Sequence, residues 1–95
     1  MNDPTQTAIN AIENASRVPF TPAELPRLLS TGEGEPSHLR ALFGDVDLHT
    51  LLRLARLFAV DDATLARAYG RARRAAAANA DLDAYVALVT TGKPA

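Results

Sequence analysis

At 95 residues the chain has room for one domain, near the low end for a self-sufficient core, so association between copies is expected. Its apolar residues are mostly Ala and Leu, with three Phe, two Tyr and no Trp, a balance that favours helix over strand. The lack of cysteine excludes disulfides and Cys-based zinc sites, and a net charge of −1 argues against a non-specific polyanion binder.

Taken in order, the punctuation predicts six helices. Asp3-Pro4 supplies an N-cap and a proline at the first helical position, where its missing N–H costs nothing. The first helix then runs to about Ser16, with Ala8, Ile9, Ile12 and Ala15 on one face, until Val18-Pro19 breaks it. Thr21-Pro22-Ala23-Glu24 reads as a capping box for a second helix over 22–30, with Leu25, Leu28 and Leu29 inward. Pro26 removes a backbone bond one turn in and predicts a bent start.

STGEGE at 30–35 is a turn by composition. Pro36 opens a third helix, PSHLRALF, over 36–43, and Gly44 is expected to close it in the left-handed conformation. Asp47 caps the fourth helix, with Val46 packing on Leu51 as a hydrophobic staple. Its wheel places Leu48, Leu51, Leu52, Leu54, Ala55, Phe58 and Ala59 on a face wider than half the circumference, which predicts a central, buried helix. His49, Arg53 and Arg56 form its polar stripe at i, i+4, i+7.

Asp61 or Asp62 caps a fifth helix expected through DATLARAYGRARRAAAANA, with Gly70 as a weak spot. Arg67, Arg71 and Arg74 share one of its faces, Arg73 beside them. They read as phosphate or acidic-partner contacts together with Arg53, or as a solvated face favoured by the helix dipole. Asp81 is expected to cap a sixth helix, whose Leu82, Tyr85, Val86 and Val89 make a narrow apolar stripe. That stripe either folds back or forms a dimer interface.

Charge is unevenly spread. Residues 1–48 carry seven acids against three arginines, and residues 49–80 carry six arginines against Asp61 and Asp62. Such asymmetry marks a candidate polyanion-facing side. Most acids stand at helix starts, where capping explains them. The two histidines, His38 and His49, lie on different helices without metal-ligand spacing, and GEGE is not a phosphate loop. No enzyme activity, metal or cofactor is expected. No apolar run approaches the roughly 18–20 residues that cross a bilayer. MNDPTQTAINAIENAS lacks the basic and apolar regions of a secretory signal, so a cytoplasmic protein without a membrane partner is expected.

The order TPAELPRLL, turn, PSHLRALFGD, VDLHTLLRLARLFAV, DDATL resembles the Xre/Cro-like helix-turn-helix family of phage and bacterial repressors over roughly residues 5–66. In that family a Ser/Thr-capped helix precedes the recognition helix. A helix of the type Ser-Leu-x-Thr-Leu-x-x-Leu-Ala-x-x-Leu-x-Val follows it, and Asp47 to Val60 is similar to that type. The resemblance implies an all-α, five- to six-helix bundle with a lambda-repressor-like helix-turn-helix core at 1–66. Residues 67–95 would be an extension or dimerisation element of the same domain.

The resemblance further implies a bacterial transcriptional regulator, a homodimer on double-stranded DNA, with 36–43 as recognition helix. Leu39, Leu42 and Phe43 would face inward. Ser37 and Ala41 would point outward, flanked by His38 and Arg40, for base and phosphate contacts. Thr21 would hold a phosphate. Glu33 and Glu35 beside this helix, and its single Arg, favour a rival: an adaptor or anti-activator on the same scaffold that binds a protein of the transcription machinery and not DNA. The Arg- and Ala-rich composition fits a GC-rich bacterial genome.

Overall fold

Six α-helices and one 3-10 turn make up the computed structural model, which describes residues 4–76 and 79–91; no strand occurs among these residues. The helices are α1 (Pro4–Ser16), α2 (Leu25–Thr31), α3 (Pro36–Gly44), α4 (Leu48–Leu57), α5 (Asp62–Ala72) and α6 (Ala80–Thr91). The expected cap Asp3 lies outside the described residues.

Local chemistry accounts for most boundaries. α1 stops at Ser16, and Arg17 takes a left-handed φ of 60° while its N–H donates to the Glu13 carbonyl at 2.9 Å. The helix expected over 22–30 divides in two. Pro22–Glu24 forms a 3-10 turn, entered with the Thr21 N–H donating to Glu24 Oε2 at 3.1 Å, and α2 starts at Leu25. Pro26 has no N–H for the Pro22 carbonyl, so Leu25 donates to that oxygen instead, a tighter i to i+3 bond. α2 ends on Gly32, at φ 65°.

α3 ends differently from expectation. Gly44 is its last helical residue and takes no left-handed turn. The N–H groups of Asp45 and Val46 both donate to the Ala41 carbonyl, at 2.8 and 3.2 Å, so the chain turns without a left-handed residue. Asp47 then caps α4, accepting from the Thr50 N–H (3.3 Å) and hydroxyl (2.6 Å).

α4 closes at Leu57, and Ala59 adopts φ 58°, with Val60 N–H donating to the Ala55 carbonyl at 2.7 Å. This is the wrapped-back ending usually given to glycine. Ala59, expected on the apolar face, therefore lies outside the helix and is exposed.

Asp61 caps α5 through the Thr64 N–H at 2.8 Å. α5 passes through Gly70 but stops at Ala72, short of its expected length. Two tertiary bonds override the helix-forming alanines: Arg40 Nε donates to the Ala75 carbonyl (2.8 Å), and Asn79 Nδ2 donates to the Phe43 carbonyl (2.9 Å). Asn79, not Asp81, is the cap of α6, its Oδ1 accepting from the Leu82 N–H at 3.1 Å. Asp81 sits in the first turn, where its charge opposes the helix dipole.

In the packing, α1 lies on α3 and α4, α2 lies along α5, and both α3 and α6 rest on α5. One core joins all six helices through Ile12, Leu28, Leu42, Leu51, Leu65 and Leu82. Fully burying a side chain of this size contributes about 1.5–3 kcal/mol. The buried hub expected of α4, which has three buried residues, lies instead in α3 and α5, with five each; those of α3 are His38, Leu39, Ala41, Leu42 and Phe43. The expected division at residues 66/67 falls inside α5, whose Leu65, Ala68, Tyr69 and Ala72 share that core.

Candidate interaction surface

The face of α3 expected to point outward is largely covered. Leu39, Leu42 and Phe43 face inward as expected, but Ala41 is only 1% exposed and His38 only 4%. The helix carries too few polar side chains to be half-solvated, and α1 packs over it. The His38 ring meets Phe20 edge-on at 4.8 Å between centroids, and its Nε2 lies 3.3 Å from the Val18 carbonyl. Its Nδ1 is buried without a hydrogen-bond partner. His38 thus clamps the α1–α2 linker to α3, and neither it nor Ala41 can reach a base edge.

Ser37 is half-buried, and Arg40 is exposed but tied to the Ala75 carbonyl. Both line a small cleft of about 120 Å³ with Ala15, Ser16 and Asp45. Thr21 is exposed at the start of the 3-10 turn, its N–H held by Glu24. The five expected DNA contacts therefore do not form one open surface.

The acidic turn has an intramolecular role. Gly32 lies so close to α5 that a Cβ there would run into the Ala68 carbonyl. This approach puts Glu33 beside Arg71, with Oε1 and Nη1 3.4 Å apart; both side chains are more than half exposed, so the pair is a weak, screened one. Arg67 donates to the Thr64 hydroxyl at 3.4 Å. Arg73 pairs with Asp83 at 3.5 Å and lies 5.7 Å from the centre of the Tyr69 ring. Arg74 is exposed and has no ion pair among the described residues. The expected stripe of Arg67, Arg71 and Arg74 is thus partly engaged within the chain.

The outer edge of α4 is open. His49, Arg53 and Arg56 are all exposed, and neither arginine has an ion-pair partner among the described residues. Leu57 stands beside them with 57% of its surface exposed. Sequence reasoning passed over Leu57, although it stands four residues after Arg53 and hence on the polar side of the wheel. At the other end of α4 the Thr50 hydroxyl and N–H hold the Asp47 carboxyl below its ordinary value of 3.8. A cleft of about 420 Å³ opens there, lined by Asp45, Val46, Asp47, Leu48 and Asp81 among others.

The α6 stripe is used within the protomer. Leu82 is 1% exposed, and Tyr85 and Val86 pack against the core, so Leu82 is not available to a second copy as the expected dimer contact. Val89 is half-buried and lines a cleft between α5 and α6 with Ala63, Ala66, Arg67 and Thr90. Two crossed bonds hold this pair of helices: Tyr69 donates to Asp83 (2.8 Å) and Tyr85 to Asp62 (2.9 Å). Burial, then the bond to a carboxylate, pushes both phenols above their ordinary value of 10.0.

Among the described residues no group of His, Asp or Glu is placed to hold a metal ion, and no helix is long and apolar enough to cross a membrane. No protein-family model, curated protein or solved structure matches the chain.

Proposed function

We propose that this chain is a helical protein-interaction module, an adaptor or anti-activator on a helix-turn-helix-like scaffold, and that it does not read DNA with α3. The observation that carries this reading is the burial of His38 and Ala41, with Arg40 bound to the Ala75 carbonyl. A recognition helix needs its outward side chains free to enter a groove. The face offered to a partner is the outer edge of α4, where exposed arginines flank an exposed leucine. A cytoplasmic protein of the transcription machinery is the partner class that the family resemblance favours.

The test is anisotropy of labelled duplex DNA, drawn from a pool of genomic fragments, with the purified protein at low and raised salt. The expected outcome is no sequence-selective binding. Any residual binding should be weak, steeply salt-dependent and unchanged by Arg40→Ala. Selective binding that Arg40→Ala weakens by about 1–3 kcal/mol would establish α3 as a base reader and overturn the proposal.

A further inference from the structure

The two ends of α4 carry complementary surfaces. At the C-terminal end Leu57 projects with Arg53 and Arg56 beside it, both free of ion pairs among the described residues. At the N-terminal end exposed Asp45, Asp47 and Asp81 surround a cleft whose apolar lining includes buried Val46 and half-buried Leu48. The ten residues of α4 separate these surfaces by about 15 Å along its axis. One is an exposed leucine with a basic surround, and the other an open, mainly polar cleft with an acidic surround.

Two of the three carboxylates have local reasons to be there: Asp47 caps α4, and Asp81 lies in the first turn of α6. Asp45 lies between the C-terminal end of α3 and the cap of α4, in one small cleft with Arg40, and forms no ion pair among the described residues.

We infer that the two surfaces meet between copies, with the Arg53–Arg56–Leu57 edge of one chain seated in the Asp45–Asp47–Asp81 cleft of the next. The inference rests on the interaction-module reading and identifies one partner as a second copy of this chain. Leu57 argues against a phosphate backbone as the occupant, because an apolar side chain between the guanidinium groups gains nothing there. Two basic edges would repel each other, so edge pairs with cleft, and two antiparallel α4 helices can make that contact twice about a two-fold axis.

Sedimentation velocity on the full chain tests this. At low salt the average mass should rise above that of one chain as concentration increases, and salt should reverse the rise. Arg53→Glu with Arg56→Glu, and separately Asp45→Lys with Asp81→Lys, should each weaken association by about tenfold or more. Asp47 is left in place because it caps α4, and circular dichroism verifies that both variants fold. An equal mixture of the two reversed variants should associate again, since each edge then finds a cleft of opposite charge. Leu57→Ser should weaken association without a charge change.

A single-chain mass at every concentration in low salt overturns the inference. So does association that survives both reversals, a mixture that stays dissociated, or association abolished only by Leu88→Ser on α6. None of these results bears on DNA recognition by α3, which the anisotropy experiment decides separately.

Discussion

Gly32 and Ala68 meet backbone to backbone, and the contact leaves no room for a Cβ on Gly32. This fixes how α2 ends against α5 and where the acidic turn begins. Gly32→Ala meets both a left-handed backbone at φ 65° and a collision with a carbonyl that cannot swing aside. Left-handed strain of about 1–2 kcal/mol and overpacking of about 1–3 kcal/mol together predict a loss of about 2–5 kcal/mol. Gly70→Ala, in the last turn of α5 with open space around it, should instead gain about 0.5–1 kcal/mol. Urea unfolding of the two variants gives both numbers.

Ala59 carries a backbone angle suited to glycine, φ 58°, at the end of α4. Its side chain is exposed, so little packing is lost on removing it. Ala59→Gly should stabilise the chain by about 0.5–1 kcal/mol, the relief of strain exceeding the added freedom of the unfolded chain. A thermal melt that shows a lower midpoint than wild type would contradict the wrapped-back ending.

His38 is read as a structural clamp. His38→Ala should cost about 2–4 kcal/mol, through the cavity left beside Phe20 and the loss of a partner for the Val18 carbonyl. Arg40→Ala removes one bond to the Ala75 carbonyl at an exposed site and should cost about 0.5–1.5 kcal/mol. Denaturant titrations should rank the two in that order.

The helix caps set an acid limit. The carboxyls of Asp47 and Asp61 are held below 3.8, chiefly by hydrogen bonds from Thr50 and Thr64. Folding therefore favours their ionised forms. The stabilisation is fully present above the unfolded value near 3.8 and is lost as pH falls through the lower folded values. Melting temperature should drop below about pH 4. Asp61→Asn should keep the cap and flatten part of that drop.

Features encoded over a few residues were legible in the sequence. Asp47 was legible as a cap and the α5 cap as Asp61 or Asp62, because a carboxylate before a helix accepts from the backbone N–H three residues on; Leu39, Leu42 and Phe43 face inward because their spacing is helical. Features decided across the fold were not. A helical wheel shows which side of α3 is apolar but not that α1 also covers the side holding Ala41. The alanines after Ala72 favour helix in isolation, yet Arg40 and Asn79, drawing on distant carbonyls, turn the chain there. Asp81 has the chemistry of a cap, but Asn79 holds the position. The candidate surface on α4 was half legible: its arginines stood out by charge, whereas Leu57 looked like one more leucine in an apolar run.

The crossed tyrosine bonds between α5 and α6 make the chain its own spectroscopic reporter. It has two tyrosines and no tryptophan, and each phenol donates to a carboxylate on the opposite helix. A carboxylate acceptor quenches phenol emission, and no indole is present to mask the change. Detachment of α6 should therefore brighten the intrinsic fluorescence before the remaining helices melt, without any label.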